Sequence, residues 1–481
     1  MENYKNLKKD YKVYFLGAGG ISMSALAVYL KNRGFSVAGF DKEKNDCVLK
    51  LEKTGINVDS GDNLKIYDGL KKCDAVVYSS AISESDFMLD YAKKSGKAVM
   101  SRAELLAEII KNYKFSFGVS GTHGKTTTTL MLCHVLRCAN KRFDAHIGGA
   151  DKVFDNFYFG SESGNDECII SEICEYKRNI ALFSPTFSIV LNVDDDHLES
   201  YGSFSALADE FLNFALRGKK FVYNADDKTL RARFFGKGNR VENERENKNE
   251  KCGDKTGVSF SVKDKTCDYY AANIRKTGAK IAFNAFEKGA LIGRFKINGV
   301  FKHNVSNALA VIACARLYGV SAGDIYKGLI EYTGAYRREE FLGEYNGAAV
   351  FADYCHHPKQ IKETVAALEK SDAKNVIIVF QPHTYSRTKN LFKRFLSALK
   401  TKRARIIICE TYAAREAYDF SGSGKRLAEN IDNAEFTANC CNAVKAAFLS
   451  AEKGDLVAFL GAGDVYFKAK EFLRKNKKAS L

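Results

Sequence analysis

The chain has 481 residues, 46% hydrophobic and 27% charged, a soluble globular balance in a length that suits about three domains. No apolar run approaches a membrane span, the opening MENYKNLKKD has no apolar secretory core, and the thirteen cysteines form no CxxC pairs for zinc, so reduced thiols in a cytoplasmic protein are expected. The net charge of +16 excludes less; the basic residues are interleaved with acidic ones and form no recognition motif, so solvated faces or a surface for polyanionic small molecules explain it without nucleic acid.

Residues 11–42 open with an apolar strand, Val13–Leu16, then Gly17-Ala18-Gly19-Gly20, a helix, and a second strand ending at Asp41. This is the βαβ unit of a dinucleotide-type fold: Gly17, Gly19 and Gly20 form the turn, and Asp41 is the acid that can bind a ribose. Ser22 replaces the third fingerprint glycine, which leaves both tight helix–sheet packing and an NAD site less assured. Ala75–Tyr78 reads as another strand, ending in Ser79-Ser80-Ala81-Ile82; the Ser79 hydroxyl suits either a ligand in the switch-point crevice or a helix N-cap. A helix over Ser101–Tyr113 leads out of this first, Rossmann-like domain, drawn at 1–112.

The second domain, drawn at 113–331, starts with a buried strand, Phe115–Val119, followed by Gly121-Thr122-His123-Gly124, Lys125-Thr126-Thr127 and an apolar-periodic helix. Strand, glycine loop, Lys-Thr and helix form a phosphate cradle. Backbone N–H groups face phosphate oxygens, Lys125 neutralises charge, and the Thr126 hydroxyl can ligate Mg2+. The loop is G-T-x-G-K-T-T; Val119 takes the place of the first glycine of the strict P-loop. Beyond it, His146-Ile147-Gly148-Gly149 reads as a turn. Cys168–Ile170 is a strand leading to Glu172 and Glu175, and Phe187–Asn192 is one running into Asp194-Asp195-Asp196-His197. Carboxylates and a histidine at neighbouring strand ends can hold Mg2+ above the phosphates, although an acidic run also suits a solvated helix start. The polar stretch 237–256 reads as a surface loop. Asn304 and Asn307 lie three apart on one helical face, suited to a purine edge or to N-capping.

A third domain, drawn at 332–481, follows the connector Gly334–Phe341. Strands Val350–Tyr354, Lys374–Phe380, Arg405–Glu410 and Asp455–Leu460 alternate with helical stretches, which predicts a parallel sheet wrapped by helices. Their ends carry Asp353-Tyr354-Cys355-His356-His357-Pro358, Gln381–Thr388 and Gly461–Asp464. No further ligand completes a zinc set with His356-His357; His and Arg at these ends suit a lid closing over phosphate and carboxylate.

Together these segments resemble the Mur ligases. The likeness is carried, in order and over nearly the whole chain, by Gly17–Ala27, Ser79–Ile82, Gly121–Thr129, Glu172–Glu175, Asn192–Tyr201, His303–Ala310, Arg337–Glu340, Asp353–Pro358, Gln381–Thr388 and Gly461–Asp464. It implies an α/β fold of three domains: a Rossmann-like N-terminal domain for a UDP-sugar, a central P-loop ATPase-type domain for ATP, and a C-terminal Rossmann-like domain for the incoming amino acid. It further implies that Gly19 and Gly20 face the UDP diphosphate, with Asp41 and Ser79 near the uridine. Lys125 would contact ATP phosphates, Thr126 one Mg2+, and Glu172 and His197 a second; Asn304 and Asn307 would hold adenine. Arg337, Asp353, Tyr354, His356 and Arg387 match positions that close on ATP and the reacting groups, with His197 or His356 candidates to accept the amine proton. Ser22 and Cys355 stand where the family usually has glycine, and Glu172–Arg178 is less acidic than its counterpart.

Sister ligases carry a modified lysine downstream of the His197 position, whereas Leu198–Arg217 contains none. The resemblance therefore implies the member that joins L-alanine to UDP-N-acetylmuramate in peptidoglycan precursor synthesis, using ATP and Mg2+, as a monomer or weak homodimer with no membrane insertion. Three other readings remain open: a recycling ligase joining a preformed murein peptide to the same nucleotide, a Rossmann-type NAD-dependent dehydrogenase, and a nucleic-acid-binding NTPase.

Overall fold

Five short strands build the first sheet: β1 (Lys12–Leu16), β2 (Ser36–Asp41), β3 (Asn57–Ser60), β4 (Ala75–Tyr78) and β5 (Ala98–Ser101). Their order is β3-β2-β1-β4-β5 and every pair is parallel. The order reverses between β1 and β4, so the Gly17 loop and Ser79 flank the crevice at the carboxyl edge. Ser22 does not loosen the helix Ile21–Asn32, whose Met23, Leu26 and Leu30 are buried.

The structure, a computed structural model, describes residues 7–8, 10–61, 63–83, 85–160, 167–195, 198–235, 256–277, 280–299, 301–414 and 416–477. Asp196, His197 and all but the last residue of the polar stretch 237–256 lie outside the described residues.

The second sheet contains β6 (Phe115–Ser120), β7 (Asp144–His146), β8 (Phe157–Tyr158), β9 (Cys168–Glu172), β10 (Phe187–Val190), β11 (Lys220–Asn224), β12 (Thr256–Ser261), β13 (Tyr269–Thr277), β14 (Lys280–Glu287) and β15 (Ala290–Asn298). They run in the order β15-β14-β13-β12-β11-β10-β6-β9-β7-β8. The central β10, β6 and β9 are parallel, which brings the phosphate loop, Glu172 and the Asn192–Asp194 segment to one edge. Two expectations shift. His146 is the last residue of β7, not part of a turn. The strand from Phe187 stops at Val190, because the Asn192 carbonyl turns to accept the Thr122 N–H at 3.1 Å.

The third sheet holds β16 (Glu340–Tyr345), β17 (Ala348–Asp353), β18 (Val376–Phe380), β19 (Ala404–Cys409), β20 (Ala434–Thr437) and β21 (Leu456–Leu460), in the order β16-β17-β21-β18-β19-β20. The four strands expected there, now β17, β18, β19 and β21, are parallel; β16, absent from that expectation, adds an antiparallel hairpin with β17 at one edge. Asn346 and Gly347 both take positive φ at its turn, the conformation that a two-residue hairpin matching strand twist requires. The remaining pairs are parallel.

By contacts the chain forms two compact units. One runs to residue 272 and takes in 285–293 and 306–329; the other comprises 273–284, 294–305 and 330–481. Among the described residues no helix is long and apolar enough to cross a membrane.

Candidate active site

Within the first unit, the phosphate loop is shaped by its glycines. Gly121 has φ +141° and a Cβ there would stand 2.9 Å from that of Leu191; Gly124 has φ +83° and lies against Asn307. Neither position tolerates a side chain without strain. Gly124 caps the helix Lys125–Cys138, whose open N–H groups and dipole favour an anion. The Asn192 side chain holds the loop, accepting from His123 N at 2.8 Å and donating to the His123 carbonyl at 3.0 Å. Thr122 Oγ1 accepts from Asp194 N, and His123 Nε2 lies 3.2 Å from Asp194 Oδ2. Thr127 is half-buried in the first turn of the helix.

Two carboxylates converge on the loop. Lys125 Nζ donates to Glu175 at 3.0 and 3.2 Å and to the carbonyls of Gly121 and Thr122. Burial pulls the Lys125 pKa down, but the charges of Glu175, Cys174 and Glu172 outweigh it and hold the ammonium above its ordinary value. Thr126 Oγ1 donates to Glu172 Oε2 at 2.8 Å, and Gly148 N reaches the same oxygen at 3.1 Å. The absent side chain of Gly148 makes room for that approach, since a Cβ would come within 2.5 Å of the oxygen. A hydroxyl and a carboxylate side by side are hard oxygen donors that fit Mg2+. From sequence Glu175 stands only among the strand-end carboxylates that could hold Mg2+; its pairing with Lys125 has no signal there.

At the first sheet, Gly17 has φ +77° and a Cβ there would collide with Ser79 at 2.9 Å, so turn and strand end sit in contact. Gly19 N donates to Asp41 Oδ2 at 2.7 Å, Glu43 N to Asp41 Oδ1 at 3.1 Å, and Asn45 Nδ2 to the Gly19 carbonyl at 3.1 Å. Asp41 thereby fixes the loop. Gly20 is the N-cap of the helix Ile21–Asn32. Sequence reasoning missed Lys177, which reaches across to donate to the Ser80 carbonyl at 2.7 Å. It and Arg178 both have positive φ, an uncommon conformation for side-chain-bearing residues.

In the second unit, Arg337, also at positive φ, donates to the carbonyls of Ala462 and Gly463 at 3.1 and 2.7 Å. Its guanidinium lies 4.7–5.2 Å from the ring centres of Tyr354, Phe467 and Tyr466, so here it anchors the connector. Glu339 accepts from Asn304 Nδ2 at 3.0 Å and pairs with His303 at 2.8 Å. Asp353 accepts from Cys355 N at 2.9 Å and, weakly, from Thr364; burial, then the charge of Glu339, pushes its carboxyl up to about 7. Cys355 is buried and does not take the positive φ that would call for glycine.

His357 caps the helix Pro358–Glu369, which accounts for one histidine of the pair. His356 Nδ1 lies 3.1 Å from the Tyr354 carbonyl, and its ring lies 6.3 Å from that of His383. His383, not singled out from sequence, stacks on Tyr412, while Arg387 Nη1 donates to the His383 carbonyl at 2.6 Å. Burial and the charge of Arg387 lower both imidazoles, leaving two neutral rings beside one fixed cation.

A Rossmann-like sheet with a glycine loop, a phosphate-loop sheet and a third α/β sheet together define a three-domain nucleotide-dependent enzyme. The chain belongs to the Mur ligase family: it matches the models for the Mur ligase family catalytic domain over residues 12–114, the Mur ligase middle domain over 119–315, and the Mur ligase glutamate ligase domain over 337–463. It is 35% identical to the UDP-N-acetylmuramate–L-alanine ligase of Caldicellulosiruptor bescii, covering 94% of this chain and 96% of that one. It is 33% identical to the enzyme of the same name in Clostridium perfringens, with 98% and 99% covered. In fold it is similar to the UDP-N-acetylmuramate-alanine ligase of Thermotoga maritima, with TM-score 0.74, 24% identity and 98% and 100% covered. A murein peptide ligase from Psychrobacter arcticus shares the fold at TM-score 0.63, 22% identity and 96% and 98% covered.

Proposed function

We propose that the chain joins L-alanine to UDP-N-acetylmuramate with consumption of ATP, in peptidoglycan precursor synthesis. The single observation that carries this is likeness over nearly the full length to ligases of that name; the Lys125–Thr126–Glu172 cluster supplies chemistry to match. A carboxylate is a poor acyl donor. Its oxygen attacks the γ-phosphorus of ATP, the bond to the ADP oxygen breaks, and an acyl phosphate forms. The neutral alanine amine then attacks the carbonyl carbon, phosphate leaves with the C–O electrons, and the amine proton passes to a base. Both reactants of the first step are anionic, so catalysis rests on charge compensation and in-line positioning. Lys125 and the helix N-terminus behind Gly124 take the phosphates.

Thr126 and Glu172 are the residues to hold Mg2+, which supplies screening of the phosphate charge; His197 belongs to the same expectation. Asn304 and Asn307 are assigned to adenine, Gly17, Gly19, Gly20, Asp41 and Ser79 to the sugar nucleotide. The neighbouring side chains of Tyr354, His356, His383 and Arg387 suit a small zwitterion, with Arg387 as partner of the alanine carboxylate. We draw the domains at 1–112, 113–331 and 332–481 and read the enzyme as a cytoplasmic monomer or weak homodimer, in keeping with its nucleotide substrates.

The test is phosphate release with UDP-N-acetylmuramate, ATP and magnesium while L-amino acids, glycine and a murein tripeptide are varied one at a time. L-alanine should give the highest kcat/KM. Preference for the tripeptide would transfer the reading to recycling, and no release with any acceptor would end it.

A further inference from the structure

Arg102 opens the helix Arg102–Lys111, whose start is already closed by a reciprocal pair: Ser101 Oγ accepts from Glu104 N, and the Glu104 carboxylate accepts from Ser101 N. A guanidinium in the first helical turn opposes the macrodipole, so capping does not explain it. An ion pair does not explain it either. Among the described residues its hydrogen-bond partner is Ser22, Nη1 to Oγ at 3.1 Å, which satisfies one of five donors in a planar fork. Burial lowers the Arg102 pKa, and the charges of Cys174 and Glu172 act against that.

Ser22 is held from its other side as well. Its Oγ lies 2.7 Å from His146 Nε2, and His146 Nδ1 lies 3.3 Å from Ser171 Oγ, next to Glu172. Burial, with the charge of Arg102, drives the His146 pKa down to about 3, so the ring is neutral and Ser22 faces one cation, not two. The series Arg102–Ser22–His146–Ser171 connects the helix behind the Gly17–Gly20 loop to the strand that carries Glu172.

Resting on the proposed ligase reading, we propose that Arg102 binds the lactyl carboxylate of the muramyl nucleotide through its guanidinium fork, with Ser22 as a positioning residue. The diphosphate belongs at the glycine loop and the phosphoryl donor at Lys125, Thr126 and Glu172, so the reacting carboxylate must lie between them. Arg102 is bonded to the helix of the first site, and through Ser22, His146 and Ser171 it is linked to the strand that carries Glu172 of the second. A planar fork suits a carboxylate better than an ammonium does, and a cation there eases the meeting of two anions.

The test measures dissociation constants of UDP-N-acetylmuramate and of UDP-N-acetylglucosamine, which lacks the carboxylate-bearing lactyl group, for wild type, Arg102→Ala and Arg102→Lys. Arg102→Ala should lose roughly 30-fold or more for the muramyl nucleotide, as for a truncated hydrogen-bonded charge pair. It should bind UDP-N-acetylglucosamine as wild type does. Arg102→Lys should recover only part of the loss, and it carries the test if the alanine variant does not fold. Ser22→Ala should weaken muramyl-nucleotide binding alone, by a smaller factor. Equal losses for both ligands, or none for either, overturn the assignment while wild-type turnover leaves the ligase reading standing. A wild-type enzyme that releases no phosphate removes that reading first.

Discussion

Lys125 Nζ lies 3.0 Å from Glu175 Oε2, with the carboxylate almost wholly buried. The ammonium expected to serve the triphosphate is therefore held by a protein anion, and a phosphate must compete with Glu175 for it. Lys125→Ala should abolish ATP-dependent phosphate release while leaving UDP-sugar binding largely intact. It should also strand a buried carboxylate, a loss of about 3–5 kcal/mol. Glu175→Ala strands the ammonium, and the double variant should be more stable than the sum of the singles, by about 0.5–3 kcal/mol of coupling. Urea unfolding of the four proteins gives that number; strict additivity would show that the contact carries no weight.

Thr126 and Glu172, bonded at 2.8 Å, make a second relationship testable. Glu172→Gln keeps the size and an acceptor but removes the charge that favours a divalent cation. Losing a ligand should cost no less than losing an outer-shell partner, so the magnesium concentration for half-maximal rate should rise about tenfold or more. UDP-N-acetylmuramate binding measured without magnesium should not move. An unshifted magnesium curve would remove Glu172 from the metal site.

The phosphate loop could be read from sequence because its causes are local. Gly121 and Gly124 adopt conformations that glycine favours, and the apolar runs of β6, β9 and β10 are what strands buried on both faces demand. The partners of these residues were not legible. Arg102 meets Ser22 across 80 positions and Ser22 meets His146 across 124, and no spacing rule reaches that far. Lys177 reads as an ordinary solvated lysine until its backbone turns it toward Ser80. One miss did have a signal: Asn346-Gly347 between apolar stretches marks a hairpin, and it announces the antiparallel edge of the third sheet. The three residues of β7 were too few to register a period.

Asp353 gives a pH prediction with a definite sign. Its folded carboxyl titrates near 7, whereas in the unfolded chain it titrates near its ordinary value of about 4. Between those values the folded state keeps a proton that the unfolded state releases, so the contribution of Asp353 to stability falls as pH rises from about 4 to about 7 and is constant above. Asp353→Asn retains an acceptor for Cys355 N and removes the titration. Relative to wild type, its unfolding free energy should rise across that window by about 1–4 kcal/mol. Denaturation series at pH 4 and pH 8 measure it, and an equal difference at both would mean that the carboxyl is not perturbed.

Arg337 separates two roles that one residue can play. Its bonds to the Ala462 and Gly463 carbonyls and its place among Tyr354, Tyr466 and Phe467 fasten the connector to the end of β21. Arg337→Ala removes two charge-assisted bonds and the ring contacts, a loss of about 2–4 kcal/mol. Arg337→Lys keeps the charge, but an ammonium cannot span two carbonyls and lie among three rings at once. If anchoring is the role, the lysine variant should unfold nearly as readily as the alanine variant, and its kcat should fall because the Asp353 end of the adjoining β17 is no longer held. If the residue acts on phosphate as a charge alone, the lysine variant should keep most of its kcat whatever its stability. Unfolding midpoints set beside steady-state rates for the two variants decide between them, and wild-type stability in both would exclude the anchor.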